Sequence, residues 1–237
     1  MHHFKIKLAG RVIDVTASFK DTAQLCQAYQ TEEPADFVVC VSPADLAAER
    51  EKATISCSDG YLETLAVYRQ IAVHMLDYDT VLFHGSVIAV DGEGYLFTAP
   101  SGTGKSTHTA LWRRRFGERS FMVNDDKPLL SITDQAVVAY GTPWDGKHRL
   151  SRNIGVPLKA ICLLHQAAEN HIESVSARQA YSRILAQIYR PMEHPQAMLK
   201  TLQLADKLLT LPLFELGCTI SEEAVQVAYT AMKGENT

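Results

Sequence analysis

The sequence has no long apolar run and no export signal. Its longest apolar stretches, residues 81–90 and 158–164, are far shorter than the ~20 residues that a membrane-spanning helix needs. The N-terminus lacks the apolar segment and the small-residue cleavage site of a signal peptide. Repeats, low-complexity tracts and Pro/Gly/Ser-rich linkers are missing as well. The composition is that of a soluble globular protein rather than a fibre or a disordered chain, and we expect no membrane partner.

Cysteine pairs and basic stretches are also scarce. The five cysteines are scattered and never spaced as CxxC, so neither a zinc site nor a disulfide framework is indicated, and a cytoplasmic location is expected. The formal net charge is −4, whereas a nucleic-acid-binding domain usually carries a basic stripe. The one basic cluster, Arg113-Arg114-Arg115, is typical of the solvated end of a helix. We therefore expect no nucleic-acid partner.

The pattern of apolar residues predicts an α/β fold with a mixed sheet. Strands at residues 81–90 and 95–99 flank the hairpin turn Asp91-Gly92-Glu93-Gly94, and a doubly wound parallel sheet would place a helix there instead. A helix is predicted at residues 61–77. We divide the chain where this helix begins, into a small N-terminal α+β unit (residues 1–60) and a nucleotide-binding catalytic domain (residues 61–237). Further strands are predicted at residues 37–41, 121–124, 129–132, 137–140, 160–165 and 213–217, and further helices at residues 105–116, 177–188, 194–209 and 221–232.

A phosphate-binding loop is the strongest motif in the chain. It runs from Ala99 to Ser106 and matches the P-loop pattern, except that Ala99 replaces the leading glycine. Gly102 and Gly104 allow successive backbone N–H groups to point at an anion, and the helix that begins near Lys105 adds its positive dipole end. Lys105 can reach the β- and γ-phosphates, and the Ser106 hydroxyl can bind Mg²⁺. We therefore expect ATP and Mg²⁺ as cofactors, with nucleotide contacts from Pro100, Ser101, Gly102, Thr103, Gly104, Lys105, Ser106 and Thr107.

An acid pair follows the next predicted strand. Asp125 and Asp126 come directly after the apolar run Phe121-Met122-Val123, so they lie at a strand end. Adjacent carboxylates repel each other unless a divalent cation neutralises them or one holds a proton. One acid is predicted to bind Mg²⁺ while the other accepts a proton from an attacking hydroxyl. The alternative is an Asp-Asp turn ahead of Lys127-Pro128 without a chemical role.

Taken together, His84-Gly85, a hairpin, the P-loop with its helix, and Asp125-Asp126 resemble the catalytic domain of the bacterial HPr serine kinases. They resemble the ATP-dependent phosphoenolpyruvate carboxykinases more distantly. The resemblance covers residues 81–126 and implies a mixed-sheet P-loop kinase core. It also implies that Asp126 is the proton acceptor for a seryl hydroxyl, that Asp125 lies next to the metal, and that His84, placed on a strand, is an active-site histidine. Without the resemblance, a histidine in an apolar strand is more often a core residue.

A loop rich in glycine, proline and charge follows at residues 141–155. Within it, Asp145 is a candidate second metal ligand, and Lys147 or Arg149 is a candidate charge clamp on a transferred phosphoryl group. Trp144 indicates that the loop packs against something. The alternative is a surface turn with solvated charges.

These features favour an ATP- and Mg²⁺-dependent kinase that phosphorylates a serine or threonine hydroxyl of a protein or peptide. A small carrier protein, a ribosomally made peptide precursor and a small molecule such as free serine remain alternative acceptors. Residues 1–60 are the candidate acceptor-recognition unit. The competing hypothesis is a nucleotide-binding regulatory ATPase switch, whose mobile loop would be residues 141–155. Homo-oligomerisation is left open.

Overall fold

The computed structural model describes residues 1–234, and its contacts divide the chain into two units, Met1–Tyr78 and Asp79–Thr237. Residues 235–237 of the expected catalytic domain lie outside the described part. The division falls after the long helix α3 (Asp59–Met75) and not at residue 60. The reason is packing, because α3 contacts two other helices and two strands of the first unit and buries the apolar side chains of one face.

The first unit is a three-stranded sheet with helices. Strands β1 (His2–Leu8) and β2 (Arg11–Ala17) form an antiparallel hairpin, and β3 (Phe37–Cys40) pairs with β2 in parallel. The hairpin turn falls at Ala9-Gly10, and both residues have positive φ. The buried side chains of the unit come from the hairpin, among them Ile6 and Ile13, and from the apolar face of α3, among them Leu62 and Ile71.

Two helices of the first unit are missing from the sequence-based prediction, α1 (Lys20–Leu25) and α2 (Pro43–Lys52). Helix α2 buries one side chain, that of Glu49, so it has no apolar periodicity to detect. Its start is nevertheless marked in the sequence, because Ser42 and Asp45 form a capping box with Pro43 in the first turn.

The second unit is built on a nine-stranded mixed sheet. Its strands are β4 (Thr80–Leu82), β5 (Ser86–Val90), β6 (Glu93–Thr98), β7 (Ser120–Asn124), β8 (Leu129–Ile132), β9 (Val137–Tyr140), β10 (Gly155–Gln166), β11 (His171–Ser174) and β12 (Leu213–Cys218). Seven strands follow the order β4-β8-β9-β10-β6-β5-β7, while β12 pairs with β10 and β11. Strand β10 is parallel to β6 and to β12, and the other pairings are antiparallel. The predicted mixed sheet is therefore confirmed.

Strand β10 connects the two parts of this sheet. Its residues 155–157 pair with β9, residues 158–163 pair with β6, and residues 161–166 pair with β12. Because β6, β10 and β12 are parallel, their carboxyl ends meet at one edge of the sheet. In α/β sheets, ligands bind at this edge.

Four helices complete the second unit: α4 (Lys105–Phe116), α5 (Ala177–Gln187), α6 (Pro195–Leu208) and α7 (Glu222–Lys233). Helices α4 and α7 pack against each other over a core centred on Trp112, which is fully buried among aromatic rings that include Tyr95 and Phe97. No helix within residues 1–234 has the length and apolar character needed to cross a bilayer.

The single strand predicted for residues 81–90 is wrong. Strands β4 and β5 are separated by the irregular segment Phe83-His84-Gly85, so His84 does not lie on a strand. The N–H of Gly85 donates to the carbonyl of Asp126 (3.0 Å), and that of His84 donates to the carbonyl of Gln187 (2.8 Å). In a continuous strand, these two N–H groups would bond a neighbouring strand. Here they bond the turn after β7 and the end of α5 instead.

Candidate functional site

The P-loop lies between β6 and α4, at the edge where the parallel strands end. Gly102 and Gly104 have φ values of +81° and +114°, as the predicted curl of the backbone requires. The loop is closed by Thr103, whose Oγ1 donates to the carbonyl of Pro100 (2.9 Å). Helix α4 has no side-chain N-cap, so its first N–H groups are available to an anion.

The side chains of the loop divide into exposed and buried groups. Those of Pro100, Ser101, Ser106 and Thr107 are exposed. Lys105 is buried, and its Nζ donates to the carbonyls of Ala99 (2.8 Å) and Pro100 (3.3 Å). Burial lowers the pKa of Lys105, and the charges of the nearby acid pair oppose this effect. The ammonium group therefore lies close enough to the acids to interact with them.

Asp125 connects the P-loop to the end of β7. Its carboxylate is buried and accepts a hydrogen bond from the hydroxyl of Ser86. Burial raises the pKa of Asp125, while the hydroxyls of Ser86 and Ser106 and the charge of His148 act in the opposite direction. The hydroxyl of Ser106, on the P-loop, therefore lies close enough to this strand-end carboxylate to influence its pKa.

Asp126 lies beside the same site and is partly exposed. Its Oδ2 accepts a hydrogen bond from Nζ of Lys127 (2.5 Å), and its Oδ1 lies 3.5 Å from Nε2 of His84. The other ring nitrogen of His84, Nδ1, is 2.9 Å from Oε1 of Gln187. Burial, followed by the charge of Lys105, lowers the pKa of His84, so its imidazole is neutral at neutral pH.

The turn that carries both acids is held by Asn124. This residue is fully buried, and its Oδ1 accepts the N–H groups of Asp126 (2.9 Å) and Lys127 (2.7 Å). Its Nδ2 donates to the carbonyl (3.1 Å) and the hydroxyl (3.0 Å) of Thr142. Because every polar atom of the amide is bonded, the turn is fixed before any ligand arrives.

The loop at residues 141–155 packs next to this turn, as Trp144 predicts. Trp144 is buried, and a Cβ added to Gly141 would come within 2.5 Å of the carbonyl oxygen of Val123. A Cβ added to Gly146 would lie 3.6 Å from Cβ of Asp126. The loop therefore runs past the acid pair.

The charged residues of this loop have different environments. Asp145 is buried, and its Oδ2 accepts the N–H of Ser151 (2.9 Å), which closes the loop. Lys147 and Arg149 are exposed. The metal-binding role of Asp145 and the clamp role of Lys147 or Arg149 stay predictions.

Oxygen donors for a magnesium ion are present at Ser106 and Asp125. Mg²⁺ is usually held by one or two carboxylates together with substrate phosphates and water, and this hydroxyl–carboxylate pair at the mouth of the P-loop fits that requirement. The described residues contain no preformed cluster of three or more histidine, cysteine, aspartate or glutamate side chains. Ser106 and Asp125 would leave the remaining coordination positions of a magnesium ion to phosphate oxygens and water.

A cavity of about 340 Å³ opens beside the P-loop. One wall is formed by the P-loop and α4, and the other by the ends of β10 and β12, with Leu164, Ala167 and Ile220. Its volume lies within the range of small-molecule sites. Gly102 and Gly104 line the cavity, so a ligand in the cavity would lie directly beside an anion bound by the loop.

Three residues of the site were missed by the sequence analysis. Ser86 could have been found, since it lies two residues after His84 and bonds the predicted acid. Asn124 could have been found as well, because asparagine often bonds the backbone two or three residues ahead in a turn. Gln187 gives no local signal, since it lies in a different element, 103 positions away from the histidine that it contacts.

The sequence pattern of one protein family, described as SynChlorMet cassette protein ScmC, matches residues 61–224, which is more than half of the chain. The chain belongs to the ScmC family. The region shared with the ScmC family includes His84, the P-loop, the acid pair and Gln187. A search of the curated proteins finds no match.

Among solved structures, the chain is similar to the HPr(Ser) kinase/phosphatase from Coxiella burnetii. The identity is 13% and the TM-score is 0.35, over 65% of this chain and 93% of that chain. The similarity is remote and concerns the fold.

Proposed function

We propose that this protein is an ATP- and Mg²⁺-dependent kinase that phosphorylates a serine or threonine hydroxyl of a protein or peptide. The observation that carries the proposal is the proximity of the Ser106 hydroxyl to the buried carboxylate of Asp125. It supports a single site made of the phosphate-binding loop and the acid pair, with Asp126 beside them and partly open to solvent. A phosphoryl group held by the loop would therefore lie close to Asp126, which could accept the proton of an attacking hydroxyl.

In the proposed reaction, the acceptor hydroxyl attacks the γ-phosphorus of ATP. The new O–P bond forms as the bond from phosphorus to the β,γ-bridging oxygen breaks, and ADP leaves with that electron pair. The hydroxyl proton passes to the carboxylate of Asp126, whose Oδ1 lies 3.5 Å from Nε2 of His84. Lys127 holds Oδ2 and so orients the carboxylate.

The positive charges of the site would balance the phosphates. Lys105 now bonds two loop carbonyls, and a bound triphosphate offers it stronger, charged acceptors. Ser106 and Asp125, with Asp145 as a further candidate, would hold magnesium, which would supply charge neutralisation for the β- and γ-phosphates. Lys147 or Arg149 would add a cation from the neighbouring loop.

The nucleoside is proposed to occupy the cavity beside the P-loop. Replacing Ala167 by phenylalanine adds a ring to its wall, and we expect affinity for ATP to fall about tenfold or more, equivalent to 1.4 kcal/mol. Inorganic tripolyphosphate needs only the loop and should bind as before. Calorimetric titration of both ligands measures the difference. The matched control is Ala168→Phe, since Ala168 is exposed and outside the cavity. Equal losses for both ligands would place the nucleoside elsewhere.

The acceptor is proposed to be recognised with the help of residues 1–60, and a small hydroxyl compound such as free serine is the alternative acceptor. We also propose a cytoplasmic location, on the ground that all five cysteines are free thiols. A regulatory ATPase switch is the competing function.

One assay separates these functions. The chain is incubated with γ-labelled ATP and Mg²⁺, alone, with free serine, with seryl peptides and with lysate of its source organism. Label transferred to a protein or peptide supports the proposal, and label on free serine supports the small-molecule alternative. Release of phosphate at the same rate with and without acceptors supports the switch. If the chain neither transfers label nor hydrolyses ATP, the kinase proposal fails.

A further inference from the structure

The end of helix α5 runs alongside the segment that carries His84. Gln187 is the last residue of α5, and its carbonyl accepts the N–H of His84 (2.8 Å). Two residues later, the N–H of Tyr189 donates to the carbonyl of Leu82 (2.9 Å). These two hydrogen bonds form a short antiparallel contact, which fixes the end of α5 against the main chain around His84.

The side chain of Gln187 continues this contact at the imidazole ring. Its Oε1 lies 2.9 Å from Nδ1 of His84. In this orientation of the amide, the carbonyl oxygen faces the ring, and because a carbonyl oxygen can only accept a hydrogen bond, the hydrogen is assigned to Nδ1. The ring is neutral and has a single N–H, because burial and Lys105 disfavour the imidazolium form. The second ring nitrogen, Nε2, therefore has a free lone pair.

The distance on the other side of the ring agrees with this tautomer. Nε2 of His84 is 3.5 Å from Oδ1 of Asp126, which is too long for a direct hydrogen bond. Two atoms that both lack a hydrogen are expected to stay this far apart. The remaining charges around the ring are those of Lys105 and Lys127, and Lys127 donates to the opposite oxygen, Oδ2.

We propose that Gln187 is a positioning residue that keeps the proton of His84 on Nδ1, so that Nε2 faces Asp126 as a hydrogen-bond acceptor. The role of this tautomer in catalysis, described next, rests on the proposed kinase function. When Asp126 takes the hydroxyl proton of the acceptor, the new carboxyl O–H finds an acceptor at Nε2. No extra proton has to enter or leave the site during transfer. With the hydrogen on Nε2 instead, the same position would already be occupied by a donor.

The test reads the tautomer directly by ¹⁵N NMR of histidine-labelled protein at alkaline pH, where the ring is neutral. The His84 signals among the nine histidines are assigned with His84→Asn. In the wild type, we expect the hydrogen on Nδ1. Gln187→Met keeps the length of the side chain but removes the acceptor, so the hydrogen should move to Nε2, where Asp126 accepts it. Gln187→Glu also accepts at this position and should keep the hydrogen on Nδ1.

Kinetics on the same variants separate positioning from general damage. Gln187→Met should lower kcat about tenfold or more, the range seen when a residue that orients a functional histidine is removed, while KM for ATP stays unchanged. The exposed glutamine Gln203 lies on α6, and Gln203→Met serves as the control for the substitution itself.

The outcomes test the positioning role of Gln187 and the kinase proposal separately. A wild-type hydrogen on Nε2, or a tautomer that is the same in Gln187→Met, overturns the role of Gln187, whether or not that variant folds well. If the tautomer shifts as expected but the wild type transfers no phosphoryl group to any acceptor, the positioning role stands and the kinase proposal fails.

Discussion

Substitution of Asp126 by asparagine is expected to lower the rate of phosphoryl transfer by roughly 10²- to 10⁴-fold, the contribution typical of a general base. Asparagine keeps the shape of the side chain but cannot accept the hydroxyl proton. The main chain of Asp126 is held independently of its side chain, through Oδ1 of Asn124 and the N–H of Gly85. The loss should therefore fall on kcat and leave KM for ATP nearly unchanged.

The comparison with two other aspartates makes this result specific. Asp125→Asn removes a buried carboxylate that accepts from Ser86 and lies close to Ser106. We therefore expect the rate to fall and the Mg²⁺ concentration needed for half-maximal rate to rise. Asp134→Asn changes an exposed residue that pairs with Lys207 and should leave the rate at the wild-type level. Transfer by Asp126→Asn at more than a tenth of the wild-type rate would rule out Asp126 as the proton acceptor.

Acid should destabilise the second unit through His108. Burial lowers the pKa of this histidine to about 4, from 6.5 in an exposed position. Its Nε2 accepts a hydrogen bond from Nε1 of Trp112 (2.9 Å), and protonation would bring two N–H groups face to face. The unfolded chain thus binds a proton more tightly than the folded chain, and stability must fall as the pH falls through the window from 6.5 to about 4.

The size of this effect follows from the difference in pKa. The shift corresponds to a loss of about 3 kcal/mol in the free energy of unfolding by the low end of the window. Chemical denaturation followed by tryptophan fluorescence is suited to the measurement, since both tryptophans, Trp112 and Trp144, lie in the second unit.

Two variants identify the responsible group. His108→Gln keeps an acceptor for Trp112 and should flatten the pH dependence in this window. His194→Gln removes an exposed histidine from the same unit and should leave the pH dependence as in the wild type. An unchanged slope in His108→Gln would show that other groups cause the acid sensitivity.

The features that could be predicted from the sequence are those determined by residues close together along the chain. The curl of the P-loop at Gly102 and Gly104 is set by local backbone freedom, and the position of Asp125 and Asp126 at a strand end follows from the apolar run before them. The mixed sheet could be predicted because a hairpin lies directly before the loop.

The features that were missed depend on distant pairs. The strand at residues 81–90 is interrupted because the N–H of His84 donates to Gln187 and that of Gly85 donates to Asp126, and neither partner is visible from the apolar pattern. The long helix α3 was predicted at the right residues, but the prediction assigned it to the second unit, whereas its contacts group it with the first. Its own periodicity is clear, but periodicity does not say which elements it packs against.

The branching of the sheet at β10 also determines the order of events when the chain is synthesised. Strand β6, which leads into the P-loop, has only β5 as a neighbour until residues 158–163 are made, and β10 in turn waits for β12 at Leu213–Cys218. Contacts between residues so far apart form slowly, and unpaired strand edges promote association between chains. We therefore expect that the nascent P-loop is fully supported only after most of the protein has left the ribosome. Partial chains that end before β12 should depend on chaperones even though their phosphate-binding motif is complete.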